Sequence, residues 1–353
     1  MKVSRILFVV MSLVLVSGCS TTGHRHRDME QTTRRLEERV DSLGTSLRET
    51  IASVRGSITS AEDKLRDLDR SMQGLQRGFA SYAIPDQVIF GGFGIQFDTP
   101  EKKRRLDEAI MFMINNQARL QLIYARAWQY FPLIDRLLDE EGMAGDYKYV
   151  AVVESGLNER ARSLAHASGP WQFMPATGAE RGLQQTTTVD ERRNLEKSTR
   201  VAAQYLHDLL SQFQDVLLAL ASYNRGEGNI ADAIKSQGVR DYFLLWLPQE
   251  TEEYVLKVFA AKLIFEDPGK YGVVLETRPY WQRVEKDTVT VKVSKRLSAR
   301  MVADWCGTVY REIRLLNPEL LSDAWGPGTY VVSLPKGERR KFLEGLKALR
   351  GKK

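Results

Sequence analysis

Apolar positions in the first part of the chain follow two unlike patterns. Ile6 to Val16 is apolar throughout except for Ser12. Further on, Leu36, Val40, Leu43, Leu47, Ile51, Val54, Ile58, Ala61, Leu65, Leu68, Met72 and Leu75 recur in steps of four and three, with one extra four between Leu43 and Ile51. This is a heptad seam with a stutter, and charged residues fill the positions between. So narrow a stripe buries little by itself. It predicts a coiled-coil spacer over 35–80 that self-associates, or else a lone amphipathic helix lying on the rest of the chain. Gly44, Gly56 and Gly74 weaken the seam. About 40 helical residues would reach on the order of 60 Å.

After Pro85, Gly91-Gly92-Phe93-Gly94 reads as a turn or flexible link; it lacks the spacing and the lysine of a phosphate loop. From Glu101 to about Glu266 the period is helical. Leu106, Ile110, Met113 and Ile114 mark one helix, Gln121 to Trp128 continue or restart it, and Phe131 to Leu138 form another after Pro132. Val201, Tyr205, Leu209, Phe213 and Val216 mark a later helix, and Leu217 to Tyr223 is apolar enough to be buried on most sides. The fold class expected is mainly α, with a small α+β domain at the C-terminal end. There, Val289 to Val293 and Tyr330 to Pro335 read as strands, flanking short helices over 298–306 and 309–316.

Composition narrows the function classes. Of 353 residues, 51 are Lys or Arg and 45 are Asp or Glu, a net charge of +6. The basic balance favours an anionic partner. Only two cysteines are present, which excludes a disulfide-dense scaffold and a cysteine-based zinc site. No cofactor or metal is implied. His24 and His26 stand between arginines in a polar stretch and read as solvated. Lys2 and Arg5 precede the apolar run of 6–16, which is too short to span a bilayer, where roughly 20 residues are needed. Val16-Ser17-Gly18-Cys19 then places small residues before a cysteine, so the segment reads as a cleaved export signal resembling a bacterial lipoprotein lipobox. That resemblance implies a lipid on Cys19. Ser20, not Asp, follows it, which points to the outer membrane and a periplasm-facing protein. An ordinary signal peptide with an incidental cysteine is the alternative.

The chemistry centres on Tyr147-Lys148-Tyr149-Val150-Ala151-Val152-Val153-Glu154-Ser155-Gly156. Tyr147, Val150, Ala151 and Glu154 share one helical face, and Gly156 ends the helix just beyond. A carboxyl on a core-facing position is costly when ionised, so its pKa rises and it can serve as a general acid. The alternative is a Glu paired with a buried arginine such as Arg162 or Arg192. Further along, Gln172 stands between Trp171 and Phe173, and Ser222-Tyr223-Asn224-Arg225-Gly226 follows later. Aromatic faces with amides and hydroxyls suit a glycan. Clustered Lys/Arg among the aromatics, as nucleic acid would need, is absent from these segments, so no nucleic-acid partner is expected.

Glu154-Ser155, Gly169-Pro170-Trp171-Gln172-Phe173-Met174-Pro175, Ser222-Tyr223-Asn224 and Glu250-Thr251-Glu252-Glu253-Tyr254 occur in that order. Together they resemble the four motifs of the family 1 lytic transglycosylases, whose soluble-transglycosylase-like domain has the goose-lysozyme fold. The resemblance implies that Glu154 is the single catalytic acid/base. It implies cleavage of the MurNAc–GlcNAc β-1,4 bond of peptidoglycan strands, with 1,6-anhydro-MurNAc ends. It also implies that Ser163 and Gln172 line the substrate cleft, that Tyr223 and Asn224 close the site, and that Tyr254 stands near the acid. Ser155 reads as a support for the turn. The sequence departs from the family at His166, where Gly is usual, at Pro170 for Leu, at Ser222 for Ala and at Arg225 for Ala. The C-terminal βααβ order, with Asn317-Pro318 and a Pro327-Gly328 turn, resembles a LysM peptidoglycan-binding module, although Ser294-Lys295-Arg296 departs from its usual Gly-Asp start. A small capping domain without ligand is the alternative. Cys306 reads as a buried apolar residue.

The organisation expected is a signal peptide over 1–18, a lipidated tether over 19–34, the spacer over 35–80, a catalytic domain over 85–275, a LysM-like domain over 285–337 and a basic tail over 338–353. The partners expected are peptidoglycan glycan strands, a membrane through the lipid, and further copies of the chain through the coiled coil. A hydrolytic muramidase of the same fold and a non-catalytic peptidoglycan-binding scaffold are the rival functions.

Overall fold

The computed structural model describes residues 23–77, 82–277 and 285–351. The expected signal and lipidation site, Cys19 included, lie outside these residues. The chain divides into two compact units, Met1–Gln73 and Gly74–Lys353.

Helix α1 (Gly23–Arg77) dominates the first unit. It starts earlier than the seam, so the stretch expected as a tether is helical from Gly23. Good helix formers such as Arg, Glu, Gln and Met fill 25–40 and account for the extension. The seam residues Leu36, Val40, Leu43, Leu47, Ile51, Val54, Ile58, Leu65 and Leu68 are each more than half exposed. The side chains of Met72 and Leu75 lie outside the described residues.

The second unit opens with a hairpin of β1 (Gln87–Phe90) and β2 (Phe93–Gln96), paired from Gln87↔Gln96 to Phe90↔Phe93. What read as a turn or link is thus a two-residue hairpin loop. Gly91 and Gly92 both have positive φ, +58° and +87°, which the right-handed twist of the flanking strands demands. Phe90 is fully buried between the rings of Tyr147 and Phe259, at 5.1 and 5.0 Å.

Helix α2 (Pro100–Ile114) is capped by Thr99, and α3 (Gln117–Glu140) by Asn116. Helix α3 runs through Pro132 instead of restarting there. The missing N–H removes one backbone hydrogen bond, and burial of Ile134, Leu137 and Leu138 offsets it. The next helices are α4 (Lys148–Ser155), α5 (Pro175–Glu180), α6 (Leu195–Phe213), α7 (Val216–Arg225), α8 (Glu227–Gln237) and α9 (Gln249–Glu266). The periodicity through Phe213 and Val216 read as one helix, but the chain breaks between them. Gln214 adopts φ +51°, and Asp215 accepts a hydrogen bond from the Leu218 N–H at 2.9 Å to cap α7. Every residue of α7 from Val216 to Ser222 is buried, and α9 is buried at Thr251, Tyr254, Val255, Leu256, Val258, Phe259, Ala260, Ala261 and Ile264. Residues on these two helices therefore stand on a closely packed frame.

In the C-terminal module, β3 (Lys286–Val293) pairs antiparallel with β6 (Gly328–Pro335), from Lys286↔Pro335 to Val293↔Gly328. Between them lie β4 (Leu297–Ser298), α10 (Ala299–Cys306), α11 (Tyr310–Leu316) and β5 (Ala324–Trp325), with β4 paired to β5. Cys306 is buried. The stretch expected as a basic tail forms α12 (Arg339–Gly351), because Phe342 and Leu346, four residues apart, give it an apolar face that enters the module's core. The module docks on the segment ahead of α6. Leu321 N–H donates to Thr188 O and Asp190 N–H to Glu319 O, both at 2.8 Å, and Val189 joins the module's own core. No described helix is long and apolar enough to cross a membrane.

Candidate active site

Glu154 sits in the last turn of α4. Two consecutive residues in the left-handed region, Gly156 at φ +59° and Leu157 at φ +59°, stop that helix. The Gly156 N–H donates to Val152 O at 2.9 Å, and Leu157, wholly buried, anchors a conformation that a non-glycine residue adopts only at some cost. Ser155 then ties the helix end to the loop opposite. Its hydroxyl donates to Pro170 O at 2.7 Å and accepts the Asn158 N–H at 3.1 Å, the supporting role its position suggested.

The facing loop is built on Gly169. At φ +83°, its absent Cβ would stand 1.8 Å from the Arg192 carbonyl oxygen, so no side chain fits. Trp171 beyond it is fully buried, and its indole N–H donates to Thr199 Oγ1 at 2.9 Å. Gln172 follows at φ +50°, with its amide bonded back to Gly169 O at 2.7 Å. Arg192 locks this loop from behind. It pairs with Asp190 at 2.8 Å and donates to His166 O and Phe173 O. The arginine that was the rival partner for Glu154 is therefore spent elsewhere, and Arg162 is turned to His166 Nδ1 at 3.0 Å.

The third side comes from α7 and α9. The Tyr223 hydroxyl donates to Trp171 O at 2.9 Å, and its ring packs on Tyr205 and Phe173. Asn224 Oδ1 accepts from Thr251 Oγ1 at 2.9 Å, joining the end of α7 to the start of α9. Tyr254, one turn further along α9, is buried. Its hydroxyl faces the Glu154 carboxyl and favours the charged form. The two groups do not meet in hydrogen-bond geometry, however, and the hydroxyl has no partner among the described residues.

Protein surrounds Glu154, although its side chain still touches solvent. Burial pushes the carboxyl up to about 8, Tyr254 pulls it down, and the Glu250 carboxylate adds a smaller push upward. Burial and the neighbouring Glu154 hold the Tyr223 and Tyr254 hydroxyls well above the usual phenol range, so both stay proton donors. The arrangement sets a carboxyl with a raised pKa beside two hydroxyls that stay protonated, which suits general acid/base work.

Most of the residues expected at the site converge: Glu154, Tyr223 and Tyr254 lie within electrostatic reach of one another, Gln172 follows Trp171, whose carbonyl Tyr223 bonds, and Asn224 is tied to Thr251. Ser163 stands apart. It is exposed, and its hydroxyl accepts the Ala167 N–H at 3.0 Å, closing its own loop. Sequence reasoning assigned no role to Glu250, which α9 brings within electrostatic reach of the acid; its place four residues before Tyr254 was the available signal. Glu159, the next carboxylate along the chain, is held by the Tyr130 hydroxyl at 3.0 Å. Two departures acquire a physical meaning. His166 adopts φ +68°, the region where glycine is at ease. Ser222 is fully buried, and its hydroxyl has no partner among the described residues. A cavity of about 610 Å³ lies elsewhere, lined by Arg105, Trp246, Glu252 and Lys257 and by none of these groups.

The Transglycosylase SLT domain model matches residues 141–245, a stretch that contains Glu154, Ser163, Gln172, Tyr223 and Asn224 and ends before Tyr254. Membrane-bound lytic murein transglycosylase D of Escherichia coli is 28% identical over 344 residues, 96% of this chain and 70% of that protein. Membrane-bound lytic murein transglycosylase F of Desulfosudis oleivorans is 32% identical over 123 residues, 32% of this chain and 25% of that protein. Among solved structures, the 70 kDa soluble lytic transglycosylase of Escherichia coli is 19% identical, with a TM-score of 0.35 over 50% of this chain. The chain spans 33% of that protein's length.

Proposed function

We propose that this chain, which carries a transglycosylase SLT domain at 141–245, is a peptidoglycan lytic transglycosylase with Glu154 as its single acid/base. The observation that carries the reading is the carboxyl of Glu154, pushed up to about 8 by burial and within electrostatic reach of Tyr223 and Tyr254. The names of the relatives supply the substrate class.

The residues can perform the cleavage in two proton transfers. Glu154 gives its proton to the glycosidic oxygen as the bond from the MurNAc anomeric carbon breaks. The resulting carboxylate then takes the proton of the same sugar's 6-hydroxyl, whose oxygen closes on the anomeric carbon. One bond forms and one breaks, no water is consumed, and Glu154 ends protonated. A second carboxylate is not required, unlike the usual glycosidase pair. Tyr254 is placed to stabilise the carboxylate between the two transfers, where its unsatisfied hydroxyl gains a charged acceptor.

A pair of sacculus digests tests this. The full chain should clear peptidoglycan, and Glu154→Gln should lose at least about 10²-fold while remaining folded by circular dichroism. An unchanged Glu154→Gln rate would overturn the assignment. Absence of clearing by either protein would favour the binding scaffold.

Three further readings belong to the same proposal. A lipid on Cys19 anchors the chain to the outer membrane, facing the periplasm; the lipobox-like sequence and the membrane-bound relative support this. The exposed heptad stripe of α1 associates with copies of itself, and about 55 helical residues make a spacer on the order of 80 Å long. The βααβ module binds glycan as a LysM-like domain; its element order and the β3–β6 pairing support this.

A further inference from the structure

A second polar cavity lies where the C-terminal module meets the rest of the unit. It has a volume of about 360 Å³ and is lined by Arg160 and Arg193 from one side and by Tyr310, Arg311 and Arg314 from α11. No acidic residue lines it. The carboxylates around these arginines stand behind the lining: Glu159, held by the Tyr130 hydroxyl, is within electrostatic reach of Arg160, and Asp323 accepts from the Tyr310 hydroxyl. Asp323 stands 3.9 Å from Arg314, and Asp190 stands 3.9 Å from Arg193 but is already paired with Arg192 at 2.8 Å. Arg311 has no ion-pair partner among the described residues. Backbone carbonyls orient the guanidinium groups without cancelling their charge: Arg160 donates to Arg314 O at 3.1 Å, and Arg314 to Ser322 O at 2.8 Å. Burial lowers the pKa of Arg193, Asp190 opposes that shift, and Arg162, Arg192 and Arg160 add smaller downward pushes. Arginines gathered at this density, with no acid in the lining, are arranged for an anion.

We propose that this cavity docks the carboxylate-bearing peptide branches of the glycan strand, so that the chain distinguishes peptide-bearing from bare strands. The inference rests on the peptidoglycan reading above and adds a specificity site to it. Three features favour peptide carboxylates. The volume holds several carboxyl groups, more than a single phosphate needs. Planar guanidinium forks match carboxylates in bidentate fashion. The cavity also shares a loop with the catalytic groove. Arg160 begins the turn that carries Ser163 and leads to Gly169 and Pro170, and Pro170 is bonded back to Ser155 beside Glu154. In peptidoglycan the peptides branch from the same MurNAc sugar whose bond is cleaved, so a strand held at Glu154 carries its carboxylates alongside. Because α11 supplies half of the arginines, the site exists only with the module docked.

The test is binding by the full chain carrying Glu154→Gln, which separates docking from turnover. Sedimentation with intact sacculi is compared with sedimentation on strands stripped of peptide by an amidase. Adding Arg311→Glu should weaken binding to peptide-bearing strands about tenfold and change binding to bare strands less than about twofold. Arg311→Ala should act in the same direction with smaller size, and it guards against a folding defect. Equal weakening on both strands, or none on either, overturns the proposal. So does displacement of peptide-bearing strands by millimolar inorganic phosphate but not by free acidic peptide, which would mark a phosphate site. A failure of the peptidoglycan reading itself looks different, since the parent protein would then bind neither strand.

Discussion

At the scale of single residues, the account turns on proton positions. The carboxyl of Glu154 has an ordinary value of 4.5 in the unfolded chain and about 8 in the folded one. Between these values the native chain keeps a proton that the unfolded chain has released, so stability falls as pH rises from about 4.5 to about 8. Glu154→Gln removes that dependence. The variant should gain stability over the parent as pH rises, by about 2–4 kcal/mol above pH 8 after allowance for the partial exposure of the side chain, and by nothing below pH 4.5. Carbon-13 titration of the Glu154 carboxyl should give a midpoint near 8, and the cleavage rate should fall about tenfold per unit above it. A midpoint near 4.5 would mean a solvated carboxylate. Ser222 gives a separate prediction. Its buried, unpartnered hydroxyl costs about 1–3 kcal/mol, so Ser222→Ala should raise the melting temperature. A lowered melting temperature would reveal a partner for it. The inward setting of Glu154 was readable because it lies on the face of Tyr147, Val150 and Ala151. The influence of Glu250 was not, since only folding brings the start of α9 to the end of α4.

Among elements, the groove depends on turns that few residues can make. Gly169 packs on the Arg192 carbonyl, so Gly169→Ala must displace backbone rather than a flexible side chain. A loss of more than about 3 kcal/mol is expected, read as a fall in the urea midpoint together with lost activity. A shift under about 0.5 kcal/mol would mean that the loop is free to move. The buried helices and the βααβ order were legible because their apolar periods are long and clear. Three elements were not. The β1–β2 hairpin has four-residue strands, too short for alternation to register. Helix α12 hid under its basic residues, with only Phe342 and Leu346 to show an apolar face. The break after Phe213 preserved the apolar spacing across it, so that only the Asp215 cap marked a new start.

At the scale of the whole molecule, the chain combines a long helix with an exposed apolar stripe and a second unit in which the C-terminal module is docked. The half-exposed stripe on α1 predicts that the full chain sediments as a dimer or larger species. Replacing both Leu47 and Ile51 with Asp should return it to monomer without touching activity on soluble glycan. A parent that sediments as a monomer would leave α1 a lone helix. The docking of the C-terminal module through Thr188, Val189 and Asp190 was beyond sequence reasoning, because those residues carry no motif and gain their meaning from Glu319, Leu320 and Leu321 across the interface. The claim that joins all scales is cleavage without water, with Glu154 passing a proton from one oxygen of the sugar to another. Digestion of sacculi in water enriched in oxygen-18, followed by mass spectrometry of the new ends, tests it most directly. The account predicts ends 18 Da lighter than reducing ends and free of the heavy isotope; reducing ends that carry oxygen-18 would make the protein a hydrolase and contradict it.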